Sequence, residues 1–158
     1  MNVTDHLPPE SRFGEAISIL NRAARIYLTR ELKPYRLGPG QQAYLLTLSA
    51  GEAISQDEIA RRHKVDKANA ARAIGVLEQL GYVNRVRAAE DRRRWDVSLT
   101  ARGEEVKADV EKILAGWIQS LAASVSSEEW ESTVRSLRII AEAAERIGGI
   151  VAVRRCVR

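Results

Sequence analysis

Two short runs concentrate groups suited to reading a polyanion. The first, Asp66-Lys67-Ala68-Asn69-Ala70-Ala71-Arg72, combines an amide, two cations and several small side chains. A helix whose first turn enters a DNA major groove needs small or polar residues there, because large apolar ones block the base edges. In that setting the Asn69 amide can both donate to and accept from adenine. Arg72 can reach guanine or a phosphate, Lys67 suits a phosphate, and Ala68 or Ala71 suits a thymine methyl. Gln56 and Lys64, just upstream, join them as candidate contacts. The second run, Asp91-Arg92-Arg93-Arg94, sets three guanidinium groups beside one carboxylate. Arginine in a narrow minor groove gains from its negative potential, and Asp91 can hold one of these arginines by a charge-assisted bond. Either run alone also suits a solvated surface; their closeness in sequence favours recognition.

Other chemistry finds little material. His6 and His63 are the only histidines and Cys156 the only cysteine, so no metal-ligand spacing arises and neither metal nor cofactor is expected. Gly38-Pro39-Gly40 lacks the preceding strand and the Gly-Lys-Ser/Thr ending of a phosphate loop. Glu104-Glu105 and Glu128-Glu129 open helices, where acids meet the helix dipole favourably. An enzyme is therefore not expected. Cys156 offers a free thiol or a bridge between two copies, and one cysteine suits a reducing compartment. The longest apolar stretches, residues 43–48 and 147–153, fall short of the roughly 18 to 20 residues of a membrane span. Residues 1–9 contain Asp5, Pro8 and Pro9 and lack a signal-peptide core. We expect a cytoplasmic protein with no membrane partner.

The chain has 158 residues, 45% hydrophobic and 29% charged, with 10 Gly and 4 Pro, an ordinary composition for one compact domain. Its net charge of +4 is unevenly placed. Residues 55–103 hold eleven Lys and Arg against seven Asp and Glu, whereas residues 104–147 hold five against nine. A basic middle beside an acidic segment points to a polyanion-binding module on a separate scaffold.

The elements that would position these groups follow from periodicity and caps. Phe13, Ile17, Leu20, Ala24 and Tyr27 recur at steps of four and three and predict a first helix, stopped by Pro34 and the run from Leu37 to Gly40. Residues 41–48 predict a second, shorter helix. Ser55-Gln56-Asp57-Glu58 has the pattern of a capping box opening a third helix that runs to about His63. Asp66 caps a fourth, with Ala70, Ile74, Leu77 and Leu80 inward and Gly81 stopping it. Lys64 and Val65 separate these two helices, a helix-turn-helix. Residues 82–87 and 95–99 predict a β-hairpin with a charged tip. Thr100 caps a fifth helix bearing Val106, Val110, Ile113, Trp117 and Leu121. Ser126 or Ser127 opens a sixth bearing Trp130, Val134, Leu137, Ala141 and Ala144.

Element order and motif together resemble the MarR family of transcription regulators. The carrying residues run from Asp66 through Ile74 into Leu77-Glu78-Gln79-Leu80-Gly81-Tyr82-Val83, then Asp91-Arg92-Arg93 and Val97-Ser98-Leu99-Thr100-Ala101-Arg102-Gly103. The resemblance implies an obligate dimer, a recognition helix in the major groove and a wing arginine in the flanking minor groove. By motif position that arginine is Arg93, oriented by Asp91, with Arg92 and Arg94 as phosphate contacts or alternates. It also implies a small aromatic or phenolic effector bound between dimerisation helices and winged domain; Arg25, Tyr27, Tyr35, Tyr44 and Trp117 lie on segments that can border such a cleft. The chain departs from the pattern at Trp95, usually aliphatic or small, and at Asp96, usually apolar. The basic tail is also outside it, and residues 12–33 hold no cysteine for thiol sensing.

The expected fold is mainly α with a small β-hairpin wing (α+β). Residues 1–36 form an N-terminal dimerisation helix with a mobile start, 37–103 a winged helix-turn-helix, 104–148 C-terminal dimerisation helices, and 149–158 a basic tail. One small domain has limited interior for three apolar stripes, so Phe13, Ile17, Leu20, Trp130, Val134, Leu137 and Ala141 are expected at a two-fold interface. The expected function is sequence-specific binding of double-stranded DNA by a homodimer at a pseudo-palindromic operator, as a repressor released by a small ligand. The alternative is a winged-helix protein-interaction or non-specific nucleic-acid-binding module without effector response.

Overall fold

The computed structural model describes residues 9–91 and 93–148. The chain divides into two compact units, Met1–Pro39 and Gly40–Arg158. The first contains helix α1, Pro9–Glu31, followed by a 3-10 turn, Lys33–Tyr35, in which Pro34 supplies the fixed φ suited to a first helical turn. Phe13, Ile17, Leu20 and Ile26 on α1 are all exposed.

The second unit runs through α2 (Gln41–Leu46), β1 (Ala53–Ser55), α3 (Gln56–His63), α4 (Lys67–Gln79), β2 (Val83–Arg87), β3 (Trp95–Leu99), α5 (Ala101–Ala122) and α6 (Ser127–Ile147). The strands form an antiparallel sheet in the order β1-β3-β2, which is the wing of a winged helix-turn-helix. The fold is thus mainly helical with a small sheet, as expected. The second helix is two residues shorter than its apolar run, since Thr47 Oγ1 donates back to Ala43 O at 3.0 Å and the backbone tightens there. Strand β1 was not among the sequence expectations. Three residues are too few to show an alternation, and its last, Ser55, is also the N-cap of α3.

The caps are mostly as predicted. Asp66, Thr100 and Ser126 each accept from the backbone N–H three residues on, and at Ser126 the Glu129 carboxylate completes a capping box. The Ser126 hydroxyl and the Ser126 backbone N–H both donate to that carboxylate and hold it below its ordinary range, the hydroxyl contributing most. At Ser55 only half of the expected box forms. Ser55 Oγ accepts from Glu58 N at 3.1 Å, but the Glu58 carboxylate turns to Arg61 and Arg62. Two guanidinium partners outcompete one backbone N–H for it.

The core of this unit lies where α2, α3 and α4 meet the sheet and the start of α5. Leu45, Ile59, Ala70, Ile74, Leu77, Tyr82, Val97 and Val110 are each at most 2% exposed. Helix α4 ends with Gly81 at φ +75°, which lets Tyr82 N donate back to Leu77 O and turns the buried Tyr82 ring into the core. Gly103 explains the Leu-Thr-x-x-Gly motif: a Cβ there would stand 1.9 Å from the Tyr82 carbonyl oxygen. Thr100 N also donates to that oxygen, and Thr100 Oγ1 donates to Gly81 O at 2.7 Å. The end of α4 and the start of α5 are therefore locked together by a contact only glycine permits. Among the described residues no helix is long and apolar enough to cross a membrane.

Candidate nucleic-acid interface

The turn between α3 and α4 is tight because Lys64 adopts a left-handed conformation, φ 53°. Its N–H donates to Arg61 O, and Val65 N donates to Ala60 O at 3.1 Å. The Lys64 ammonium, a predicted DNA contact, is paired with Glu145 on α6. At the first turn of α4, Lys67, Ala68, Asn69 and Arg72 are all exposed, Ala71 is half-buried, and Ala70 points into the core. No large apolar side chain obstructs this face.

The polar groups of that face are ordered by one another. Asp66 accepts from Asn69 N at 2.8 Å through one carboxylate oxygen and from Asn69 Nδ2 at 3.1 Å through the other. Asn69 Oδ1 in turn accepts from Arg72 Nη2. The cap that starts the helix thus also orients the amide and, through it, the guanidinium. Lys67 Nζ pairs with Asp57 Oδ2 of α3 at 2.7 Å. Gln56, half-buried at the start of α3, has its amide oxygen buried without a partner among the described residues.

At the hairpin tip Asp91 holds the backbone of the next two described residues. Asp91 Oδ1 accepts from Arg93 N at 2.9 Å, and Asp91 O accepts from Arg94 N at 2.9 Å. The Arg94 side chain spans the tip to Asp96, with Nε to Oδ1 at 3.1 Å. The acid that departs from the family pattern at 96 is thus the partner of Arg94, whose side chain stays exposed. The Arg93 guanidinium is exposed and pairs with no carboxylate among the described residues. Arg92, residues 149–158 and Cys156 lie outside the described residues.

Behind these helices His63 stacks on Tyr44, ring centroids 4.3 Å apart, with Nε2 2.7 Å from Thr47 Oγ1. Burial pushes the imidazole below its ordinary value, disfavouring its charged form. Lys107 Nζ donates to Leu48 O at 2.6 Å and ties α5 to the end of α2. Neither pairing was legible in the sequence. Of the predicted effector residues, Tyr44 is engaged by His63, Trp117 is half-buried on α5, and Tyr27 carries the Arg30 guanidinium over its ring. Tyr35 closes the 3-10 turn. Arg25 alone of the five lines the groove of about 870 Å³ on the first unit, together with Arg22, Arg30, Lys33 and Ile26.

Among the described residues no cluster of His, Cys, Asp and Glu could hold a metal ion. The shape and chemistry are those of a winged-helix DNA reader, and comparison with known proteins agrees. The MarR family model matches residues 37–94. The HTH-type transcriptional regulator BilQ of Clostridioides difficile is 30% identical over 121 residues, 77% of this chain and 82% of that protein. A MarR transcriptional regulator of Methanosarcina mazei, known by crystal structure, is 35% identical with a TM-score of 0.75, covering 87% of this chain and 99% of that one. FabT of Streptococcus pneumoniae, solved in complex with DNA, shares the fold at a TM-score of 0.73 and 15% identity over 87% of this chain and 99% of that one. The chain belongs to the MarR family and is a DNA-binding transcriptional regulator.

Proposed function

We propose that this regulator acts as a homodimer in the cytoplasm, binds a pseudo-palindromic operator and represses transcription until a small aromatic or phenolic ligand releases it. The observation that carries the DNA reading is the first turn of α4. Every outward side chain there is small or polar, and Asn69 and Arg72 are held in line by the Asp66 cap. Arg93, exposed and without a carboxylate partner among the described residues, is the wing's groove reader, and Arg92 and Arg94 flank it at phosphates. The DNA complex of FabT, a protein of the same fold, supports this use of the scaffold.

Dimerisation is supported by the apolar residues left open on the terminal helices. Phe13, Ile17 and Leu20 of α1 and Val134, Leu137 and Ile140 of α6 are 39 to 49% exposed, and clustered apolar surface of that kind marks an interaction face on a folded soluble protein. Residues 1–36 and 104–148 form the dimerisation segments and 37–103 the DNA-binding one. The cationic groove on the first unit, with Arg22, Arg25 and Arg30 of α1 and Lys33 of the 3-10 turn around Ile26, suits an anionic or phenolic effector.

The test is a gel-shift titration against DNA from immediately upstream of the protein's own gene, with random duplex as competitor. A discrete complex that survives competitor is expected, weakened by about 1–3 kcal/mol in Arg93→Ala. Binding seen only at low salt and lost to random duplex would make the protein a non-specific module instead.

A further inference from the structure

The cations expected to meet DNA divide by the charge of their partners. The two guanidinium groups expected to read the grooves have no carboxylate partner among the described residues: Arg72 donates to the neutral Asn69 amide, and Arg93 is exposed. The two lysines at the start of the reading helix are each held by a carboxylate from another element. Lys67 Nζ lies 2.7 Å from Asp57 Oδ2 of α3, and Lys64 pairs with Glu145 near the end of α6, 81 positions on. Neither is a pairing that a helix makes with itself, so the fold brings these acids to the lysines. Both pairs reach solvent, with Lys67 and Asp57 side chains 75% and 58% exposed and those of Lys64 and Glu145 30% and 41%. An exposed ion pair contributes little to stability and opens readily, so a phosphate can compete for either lysine. The displaced carboxylate then remains within the roughly 10 Å over which charges interact at 0.1 M salt, and it repels that phosphate.

We propose that Asp57 and Glu145 are built-in competitors for the DNA phosphates at Lys67 and Lys64, and that they hold down the sequence-independent part of DNA affinity. This rests on the DNA-reading face proposed above. Each carboxylate occupies in the free protein the place that a phosphate takes in the complex, so binding exchanges one anion for another. Where a lysine keeps its acid, no counterion leaves the DNA, and the acid lowers both the affinity and its salt dependence. Arg72 and Arg93, which face no such competitor, keep their contacts to the grooves at full strength. The two acids thus restrain the contacts that are blind to sequence and spare those that read it.

The probe is a fluorescein-labelled random duplex, titrated with the full chain by anisotropy over a range of salt, which reads both affinity and the number of ion contacts. Asp57→Asn and Glu145→Gln keep shape and remove charge. Each should tighten binding about threefold at low salt, and both together about tenfold, with a log–log salt slope steeper by about one unit for each. The gain should need the lysine, so Asp57→Asn made in Lys67→Gln should bring much less. Glu128→Gln removes the same charge about 25 Å away along α6 and should leave binding unchanged. Thermal melts and sedimentation check that each variant is folded and assembles as the wild type does; Asp57, which is not on α6, carries the test if Glu145→Gln alters assembly. Weaker binding by Asp57→Asn would make its carboxylate a support that aims the lysine, and overturns the competition, as does unchanged binding. An equal gain from Glu128→Gln, or from Asp57→Asn with and without Lys67, reduces the effect to net charge and overturns it too. If Lys64→Gln with Lys67→Gln binds as the wild type does, the lysines do not meet DNA, and the failure lies in the reading face on which the proposal rests.

Discussion

Helices α4 and α6 look alike as sequences, since each carries an apolar stripe, but their stripes meet different fates. Ala70, Ile74 and Leu77 of α4 are at most 1% exposed, packed under α2, α3 and β2. On α6 no residue is buried, and Val134 and Leu137 are 48% and 39% exposed. Burying such a side chain is worth roughly 1.5–3 kcal/mol, so a stripe left open is stabilisation not yet used. A stripe says that a face must be covered. Whether the cover comes from the same chain is decided by what the fold brings to it.

The largest effect is expected where the self-contained core has no slack. Gly103→Ala puts a methyl 1.9 Å from the Tyr82 carbonyl oxygen and should cost about 3 kcal/mol or more, because backbone must move. Thermal denaturation reads it; a melting temperature near wild type would mean that α5 can slide and that the lock is loose. The open helix should behave oppositely. Leu137→Glu on α6 should leave the melt of the winged unit in place and shift sedimentation from dimer to monomer at micromolar protein, since a charge on an apolar interface stays unpaired. An unchanged dimer would move the interface off this stripe.

Smaller effects separate local from tertiary ordering. Asp66→Ala removes the α4 cap and should cost about 1 kcal/mol of stability. As Asp66 also orients Asn69 and through it Arg72, operator affinity should fall while affinity for random duplex changes less. Equal losses on both DNAs would show that the chain of side chains carries no base reading. The smallest expected effect is at His63. Its folded-state pKa lies below the ordinary 6.5 because burial opposes the charge. The unfolded chain therefore takes up the proton first, and the contribution is complete above pH 6.5 and declines as pH falls below it. Denaturant midpoints should drop between about pH 7 and 5 in the wild type and less steeply in His63→Gln. Parallel profiles would show that the imidazole accepts its proton in place.

Much of the positioning machinery is local, which is why it is legible. The caps at Asp66, Thr100 and Ser126 form within three residues of themselves, and Gly81 ends α4 through its own backbone freedom. The hairpin strands and their charged tip follow from residue types over seventeen positions. The small and polar first turn of α4 likewise needs only helical periodicity to come to one face. Glu58 is the instructive exception among local features. Its partners Arg61 and Arg62 are as near in sequence as Ser55, and they draw its carboxyl down to about 2 while leaving the capping box half made.

What the amino-acid sequence determined by itself is the set of helices, the turn between α3 and α4, and the chemistry of the reading face, because these rest on hydrogen bonds and spacings a few residues long. Only the tertiary structure decided that β1 completes the sheet, that Gly103 admits the Tyr82 carbonyl, that Lys64 meets Glu145 and that Arg85 and Arg87 share the ring of Trp95. Each of these joins residues between eight and eighty-one positions apart. Strand register and close backbone approach choose such partners, and neither is written in the residues on one side alone.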